Sequence, residues 1–355
     1  MTQAISNLAV GSKVKFGNYK VESEEFAPLI WKVADKNHSG YPSNSVSLIT
    51  ESIVDLRGFD AKEPTNTDSN RQSYGNNRFS VSNIDQWLND NGDSWWAATH
   101  TYDATPNDAG MSQPTGYNDK QGFKSYFTAD ELAAVLDTTI RVVKNTVTDG
   151  GSYEDIVRKF YLPSTTEVGL ANENSIAEGS VLSIFSAATD ASRLAYATQA
   201  AITNSLSASK PASTTAAWYW WLRTPYSGSS YSVRLVYSSG ALNSSNASYG
   251  YCGVRPLCNL SSDILVTDTA DSDGCYTCVF TTPHVITLDK AITLTAGDEL
   301  IKLKFNPKVN GTDMTLQEID DEKLIFEKTS VGSETISLSI TGEDAKIDKI
   351  AYTVS

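Results

Sequence analysis

Short alternations of apolar and polar residues dominate the first part of the chain. Ser12–Phe16 and Ile30–Ala34 alternate as half-buried strands do, and Val46–Ile49 reads the same way. Two segments carry the longer helical period. In the first, Ser82 or Asn83 caps a helix through Asn89 that gathers Ile84, Trp87 and Leu88 on one side. In the second, Thr128 and Glu131 stand at capping-box spacing ahead of an apolar stripe of Leu132, Val135 and Leu136. Thr165–Leu170 and Ser180–Phe185 predict shorter helical pieces, and the polar run from Pro64 to Asn77 predicts a loop. Strand-like segments then recur at short intervals: Val285–Leu288, Ile292–Leu294, Leu300–Phe305, Leu324–Glu327, Thr335–Ile340 and Ile347–Thr353. Turn signals such as Pro307–Asp313 separate them. The pattern predicts an α+β domain over residues 1–265, followed by a small all-β, immunoglobulin-like sandwich over 266–355.

Charge sharpens that boundary. All nine arginines lie at or before Arg255, while the last 90 residues hold 16 Asp and Glu against 8 Lys. The net charge of −14 repels phosphate backbones, so nucleic acid is not an expected partner. No apolar run reaches membrane-spanning length, and no membrane insertion is expected. The opening residues lack the basic and apolar regions of a secretory signal. Synthesis in a cytoplasm, with exit by lysis or as part of a particle, is the expectation.

The segment Trp218–Leu260 is unlike the rest. Trp220, Trp221, Leu222, Arg223, Thr224 and Pro225 open it, Gly253-Val254-Arg255-Pro256-Leu257 closes it, and both ends read as scaffold. Between them, the 27 residues Tyr226–Cys252 include nine Ser, five Tyr, three Gly and two Asn, with no Asp or Glu. A Ser/Gly-rich surface hairpin has this make-up. So does a binding surface selected for adaptability, where Tyr supplies contact area at low entropic cost and Ser, Gly and Asn adapt around it.

The WWLRTP…GVRPLCNL frame, the upstream LPSTTEVGLANENSIAEG and the opening VGSKVKFGNY…LIWKVADKNHSGYP together resemble phage-encoded proteins of the C-type-lectin-like fold, over about residues 8–262. In several of these the same segment is diversified by a diversity-generating retroelement. Such elements randomise adenines, and a diversified Asn codon cannot yield Lys, Glu, Gln, Met or Trp. Those types make up 52 of the 355 residues, so about four are expected among 27 at random, and Tyr226–Cys252 contains none. The resemblance implies a C-type-lectin-like (formylglycine-generating-enzyme-like) domain in a bacteriophage virion protein that binds a host-surface receptor. Its partners would be a host cell-surface protein or glycan and other virion proteins, with self-association left open. The alternatives are a purely structural virion protein and, more remotely, an oxidase of the formylglycine-generating type.

Within the segment, alternation places Val233 and Val236 inside, with Gly240, Ala241, Leu242, Ala247 and Gly250 fixed. The expected ligand-binding set is Gly228, Ser230, Tyr231, Ser232, Leu235, Tyr237, Ser239, Asn243, Ser244, Asn246, Ser248, Tyr249 and Tyr251. Trp220, Trp221, Arg223 and Arg255 form the expected frame, while Arg234 reads either way. The remaining tryptophans, Trp31, Trp87, Trp95, Trp96 and Trp218, are assigned to core packing rather than to a carbohydrate site. His38, His100 and His284 form no linear metal motif, and no GxSxG or phosphate-binding loop is present, so no catalytic residues and no cofactor are expected. Cys275 and Cys278, with Cys258 and His284, could make a zinc site, but a packed or disulfide-bonded pair is preferred. Calcium at the Asn66–Asn70 stretch lacks EF-hand spacing.

Overall fold

The computed structural model describes residues 2–22, 25–107, 110–112 and 121–280, together with short strands beyond residue 283. The chain divides into two compact units, Met1–Val279 and Phe280–Ser355.

The first unit is mixed α+β and mostly β. In chain order it contains β1 (Thr2–Ala4), β2 (Lys13–Lys20), β3 (Phe26–Lys36), β4 (Ser45–Thr50), β5 (Asp55–Leu56), α1 (Ser69–Tyr74), α2 (Asn83–Asn89) and α3 (Ala129–Ala134). There follow β6 (Thr138–Val143), β7 (Tyr153–Arg158), α4 (Asp190–Arg193), α5 (Gln199–Asn204), β8 (Trp220–Pro225), β9 (Ser232–Val236), β10 (Leu242–Asn246), β11 (Gly253–Val254), β12 (Leu257–Ser261), β13 (Leu265–Thr267) and β14 (Cys275–Val279). One sheet has seven strands in the order β1-β13-β14-β2-β3-β4-β12, and a second has five, β10-β9-β8-β11-β5. The β6–β7 hairpin stands apart.

The three N-terminal strands fall where alternation places them. Between β2 and β3 the register shifts at Lys15/Asn18, and Gly17 occupies this bulge at φ +69°. A Cβ there would stand 2.3 Å from the Phe127 ring, so glycine is required for that ring to close over the sheet. Phe127 belongs to an aromatic core with Phe16, Trp31, Phe123 and Phe160. The capping box of α3 is present, and Glu131 goes further by accepting the Gly17 N–H at 2.9 Å, which ties the helix to the bulge.

Helix α2 starts at Ser82 as expected and buries Ile84, Trp87 and Leu88 completely. The Ser82 hydroxyl accepts from the Asp85 N–H and donates to the Phe79 carbonyl. Ser82→Ala is therefore expected to cost about 1–2 kcal/mol, measured as a lower urea midpoint at unchanged m-value.

Several expectations need correction. The polar run Pro64–Asn77 contains α1, because Asp68 accepts the Asn70 and Arg71 N–H groups as an N-cap; none of its helical residues is buried, so no periodicity announced it. Helix α3 ends at Ala134, and Val135 and Leu136 leave the helix to pair with Leu260 and Asn259 beside β12. Of Ser180–Phe185 only Ser183–Phe185 is helical, as a single 3-10 turn, and Thr165–Leu170 is a non-helical turn. The first unit runs past residue 265 to Val279, since β14 lies between β13 and β2 in the seven-stranded sheet.

The second unit is all β where described. Its strands are β15 (His284–Thr287), β16 (Ile292–Leu294), β17 (Ile301–Leu303), β18 (Lys308–Val309), β19 (Thr312–Asp313), β20 (Leu324–Lys328), β21 (Gly332–Glu334), β22 (Ser337–Ile340) and β23 (Ala351–Val354). β15, β16, β17, β20, β22 and β23 overlap the six predicted segments, whereas β18 and β19 lie in the predicted turn Pro307–Asp313 and β21 in none of them. The pairs β15–β22, β16–β21, β17–β20 and β18–β19 are antiparallel, while β20–β23 is parallel.

Candidate functional site

The five-stranded sheet builds the site from a rigid frame outward. Strands β8 and β9 pair with Trp220 opposite Val236 and Trp221 opposite Leu235. Both indoles are fully buried. The Trp221 N–H donates to the Arg57 carbonyl at 2.9 Å and the Trp220 N–H to the Arg193 carbonyl at 3.1 Å. Their ring nitrogens are thus satisfied without water, as buried tryptophans require.

Arg223, also on β8, is the electrostatic anchor. Its guanidinium meets Glu167 at 2.6 and 2.7 Å and donates to the carbonyls of Arg141, Leu162 and Glu178. Burial opposes its charge, but the Glu167 carboxylate overcomes this and raises the Arg223 pKa. Arg255 donates to the Thr50 carbonyl from beneath the Trp220 ring, 4.8 Å from its centroid. All four expected frame residues are buried.

One step beyond Trp220 and Val236 on the same ladder stand Tyr219 and Tyr237, with rings 5.2 Å apart. Beyond Tyr237 the chain turns, closed by its N–H to the Ala241 carbonyl. Gly240 sits in this turn at φ +90°, where a Cβ would lie 1.9 Å from the Asp190 carbonyl oxygen. Tyr219 also contacts Trp218 at 4.2 Å and Tyr251 at 5.5 Å, and Tyr251 contacts Tyr249 at 5.5 Å. Five aromatic rings therefore run continuously past the end of the sheet. The Tyr251 hydroxyl bonds to Ser245 at 2.8 Å, and burial with the neighbouring Cys252 pushes its pKa up to about 12. At neutral pH the phenol stays protonated, so this face offers ring surface and hydroxyls without charge. Alongside lies β10, the edge strand, carrying exposed Asn243 and half-buried Ser244 and Asn246.

Among the expected ligand-binding residues, Gly228, Tyr237, Ser239 and Asn243 are exposed, and Tyr231, Ser244, Asn246, Tyr249 and Tyr251 are half-buried. Tyr231 is set apart from the ring chain and packs on Tyr74 of α1 at 4.9 Å. Four residues are corrected to the interior: Ser230, Ser232, Leu235 and Ser248. Strand β9 is flanked by β8 and β10 and covered on both faces, so Leu235 packs opposite Trp221 and Ser232 gives its carbonyl to Asn77. Ser230 gives its carbonyl to Arg71 and Asn77, and the Ser248 N–H binds the Tyr74 carbonyl. Alternation anticipates one free face, and β9 is buried on both. Conversely, Trp218 and Tyr219 join the face although they lie outside the variable segment. Register was the missing signal, because Tyr219 faces Tyr237 only once β8 and β9 are paired. Arg234 is paired to Glu173 at 2.5 Å and lies 4.4 Å over the Tyr226 ring.

All four cysteines are buried free thiols, with Cys252, Cys258 and Cys278 pushed upward chiefly by burial. Among the described residues no group of three or more His, Cys, Asp or Glu is arranged to hold a metal. The His284 side chain lies outside the described residues.

Fold and site together define a mostly-β α+β protein that carries an uncharged aromatic face on a buried Trp/Arg frame. The chain belongs to the family described as Domain of unknown function (DUF6273), which matches residues 43–262, from just before β4 through β12. No curated protein and no solved structure matches the chain.

Proposed function

We propose that this chain is a bacteriophage receptor-binding protein. Its first unit, read as C-type-lectin-like, engages a host-surface protein or glycan through the aromatic face, and its second unit, read as an immunoglobulin-like sandwich, displays that face on the particle. The observation that carries the binding reading is the continuous ring chain Trp218–Tyr219–Tyr237 and Tyr251–Tyr249, seated on a frame whose polar groups are already satisfied. Large amphipathic rings with few free torsions supply most of the energy in adaptable interfaces. The absence of charge on Tyr226–Cys252, apart from Arg234, which Glu173 neutralises, suits surface variation without long-range repulsion. The phage setting and the variable character of the segment rest on the resemblance of the WWLRTP…GVRPLCNL frame.

The test is adsorption of the purified, labelled chain to host cells. Tyr237→Ala, Tyr249→Ala and Tyr251→Ala are each expected to weaken adsorption by roughly tenfold or more, at about 1.4 kcal/mol per tenfold, with stability changing by about 1 kcal/mol or less. Unchanged adsorption in the triple variant would refute this role and leave the face as a contact between virion subunits.

A further inference from the structure

Away from the aromatic face, Ser180 meets Asp35 and His38 at the end of β3, 142 residues from His38 in sequence. Asp35 lies near the end of that strand, His38 in the turn that follows, and Ser180 just before the 3-10 turn Ser183–Phe185. The His38 Nδ1 is 2.7 Å from Asp35 Oδ2, and its Nε2 is 3.2 Å from Ser180 Oγ. Asp35 also accepts the Lys36 N–H, the Ser183 N–H and the Ser183 hydroxyl. Burial works to raise the Asp35 carboxyl, but the bonds from Ser183, His38 and Lys36 hold it below its ordinary range. An ionised carboxylate only accepts, so in the neutral imidazole Nδ1 carries the proton and Nε2 accepts from the Ser180 hydroxyl. The imidazole is buried and braced by the Tyr41 ring at 4.6 Å, while Ser180 remains half-exposed.

Ser180 opens onto a cavity of about 400 Å³ that Ser39, Gly40, Tyr41, Arg141 and Gly179 also line. The backbone N–H groups of Gly40, Gly179 and Ser180, all cavity-lining residues, make no hydrogen bond among the described residues. Asp155, Glu167 and Glu178 line the same cavity, and its two arginines are both committed, Arg141 to Asp155 and Arg223 to Glu167. With both arginines paired, an anionic substrate would find no uncommitted cation there, whereas a short uncharged acyl group needs none.

We propose that Ser180, His38 and Asp35 form a serine-hydrolase site for carboxylic esters of short, uncharged acyl groups. Nucleophile, base and orienting carboxylate stand at the separations such chemistry uses. The Ser180 oxygen bonds to the ester carbonyl carbon while its proton passes to His38 Nε2. The tetrahedral intermediate expels the alcohol, which leaves with that proton. A water molecule then gives a proton to the same nitrogen, adds to the acyl carbon, and releases the carboxylic acid as Ser180 recovers its hydrogen. Asp35 holds the imidazole in the productive tautomer throughout and stays ionised. The site departs from the expectation of no catalysis because that expectation rested on linear motifs, and residues 35, 38 and 180 meet only through folding.

The full chain is treated with an alkyl fluorophosphonate, and its turnover of p-nitrophenyl acetate is followed separately. One adduct per chain, mapped by peptide mass to Ser180, is expected in the wild type and absent in Ser180→Ala. Ser180→Ala should keep the wild-type melting temperature to within a few degrees, because it removes one half-exposed hydroxyl. His38→Gln should lower ester turnover by roughly 10²–10⁴-fold. No adduct on the wild type, an adduct elsewhere, or turnover unchanged in Ser180→Ala would overturn the proposal and reduce the three residues to a structural tie. Labelling should be indifferent to the tyrosine variants of the aromatic face, so this proposal and the receptor-binding reading fail independently.

Discussion

Arg223→Met is expected to destabilise the first unit by roughly 3–5 kcal/mol, the cost of leaving a buried charge without its partner. In this variant Glu167, fully buried, loses both of its guanidinium bonds, and the carbonyls of Arg141, Leu162 and Glu178 lose a donor. Methionine fills much of the volume, so the loss is electrostatic rather than a cavity effect. Glu167→Gln in the same background should recover part of it, because a neutral amide is far cheaper to bury than an unpaired carboxylate. Urea denaturation of the wild type, the two single variants and the double variant closes the cycle. Additive losses would show that the two side chains contribute separately and that Arg223 is no anchor. The aromatic face should weaken with the frame, since β8 positions Tyr219 against Tyr237.

The second large effect is pH dependence set by Glu178. This carboxyl is fully buried beside Arg223, bonded to the Thr224 hydroxyl and the Val143 N–H, and burial raises its pKa from 4.5 to about 7 despite those partners. Between those two values the unfolded chain has released the proton while the folded chain still holds it. Stability therefore falls as pH rises from about 4.5 to 7, by roughly 3 kcal/mol at 1.36 kcal/mol per pKa unit, and is flat above that window as far as this group is concerned. Other groups titrate too, so the informative quantity is the difference between wild type and Glu178→Gln. The variant should gain on the wild type by up to roughly 3 kcal/mol between pH 5 and pH 8 in parallel urea titrations. A constant difference across that range would mean that Glu178 is ionised in the folded protein throughout.

Much of the fold was legible where local patterning and burial agree. Ser12–Phe16 and Ile30–Ala34 became strands because alternation puts one row of apolar side chains on the core side, whereas β4, at Val46–Ile49, is buried on both faces. The α2 and α3 caps were readable because a cap is a bond between residues two or three apart. Helix α1 was not, although its Asp68 cap is just as local, since none of its residues is buried to give an apolar period and Arg71 finds its partner Asp149 78 residues away. The chain past residue 265 looked like another domain because its composition changes there, yet β13 and β14 complete a sheet begun by β1 and β2.

The site divides in the same way. The sequence by itself determined that Tyr226–Cys252 is rich in Tyr and Ser, that it lacks acidic residues, and that Trp220, Trp221, Arg223 and Arg255 frame it, since large apolar and bidentate cationic side chains at strand spacing have few places to go but inward. Only the tertiary structure decided which of those residues face outward. Long-range pairing set Tyr219 against Tyr237, covered both faces of β9 over Ser232 and Leu235, drew Ser230 and Ser248 under α1, and brought Asp35 and His38 to Ser180. Register and packing between paired strands, and between segments as far apart as His38 and Ser180, are collective properties of the folded core that residue types alone do not fix.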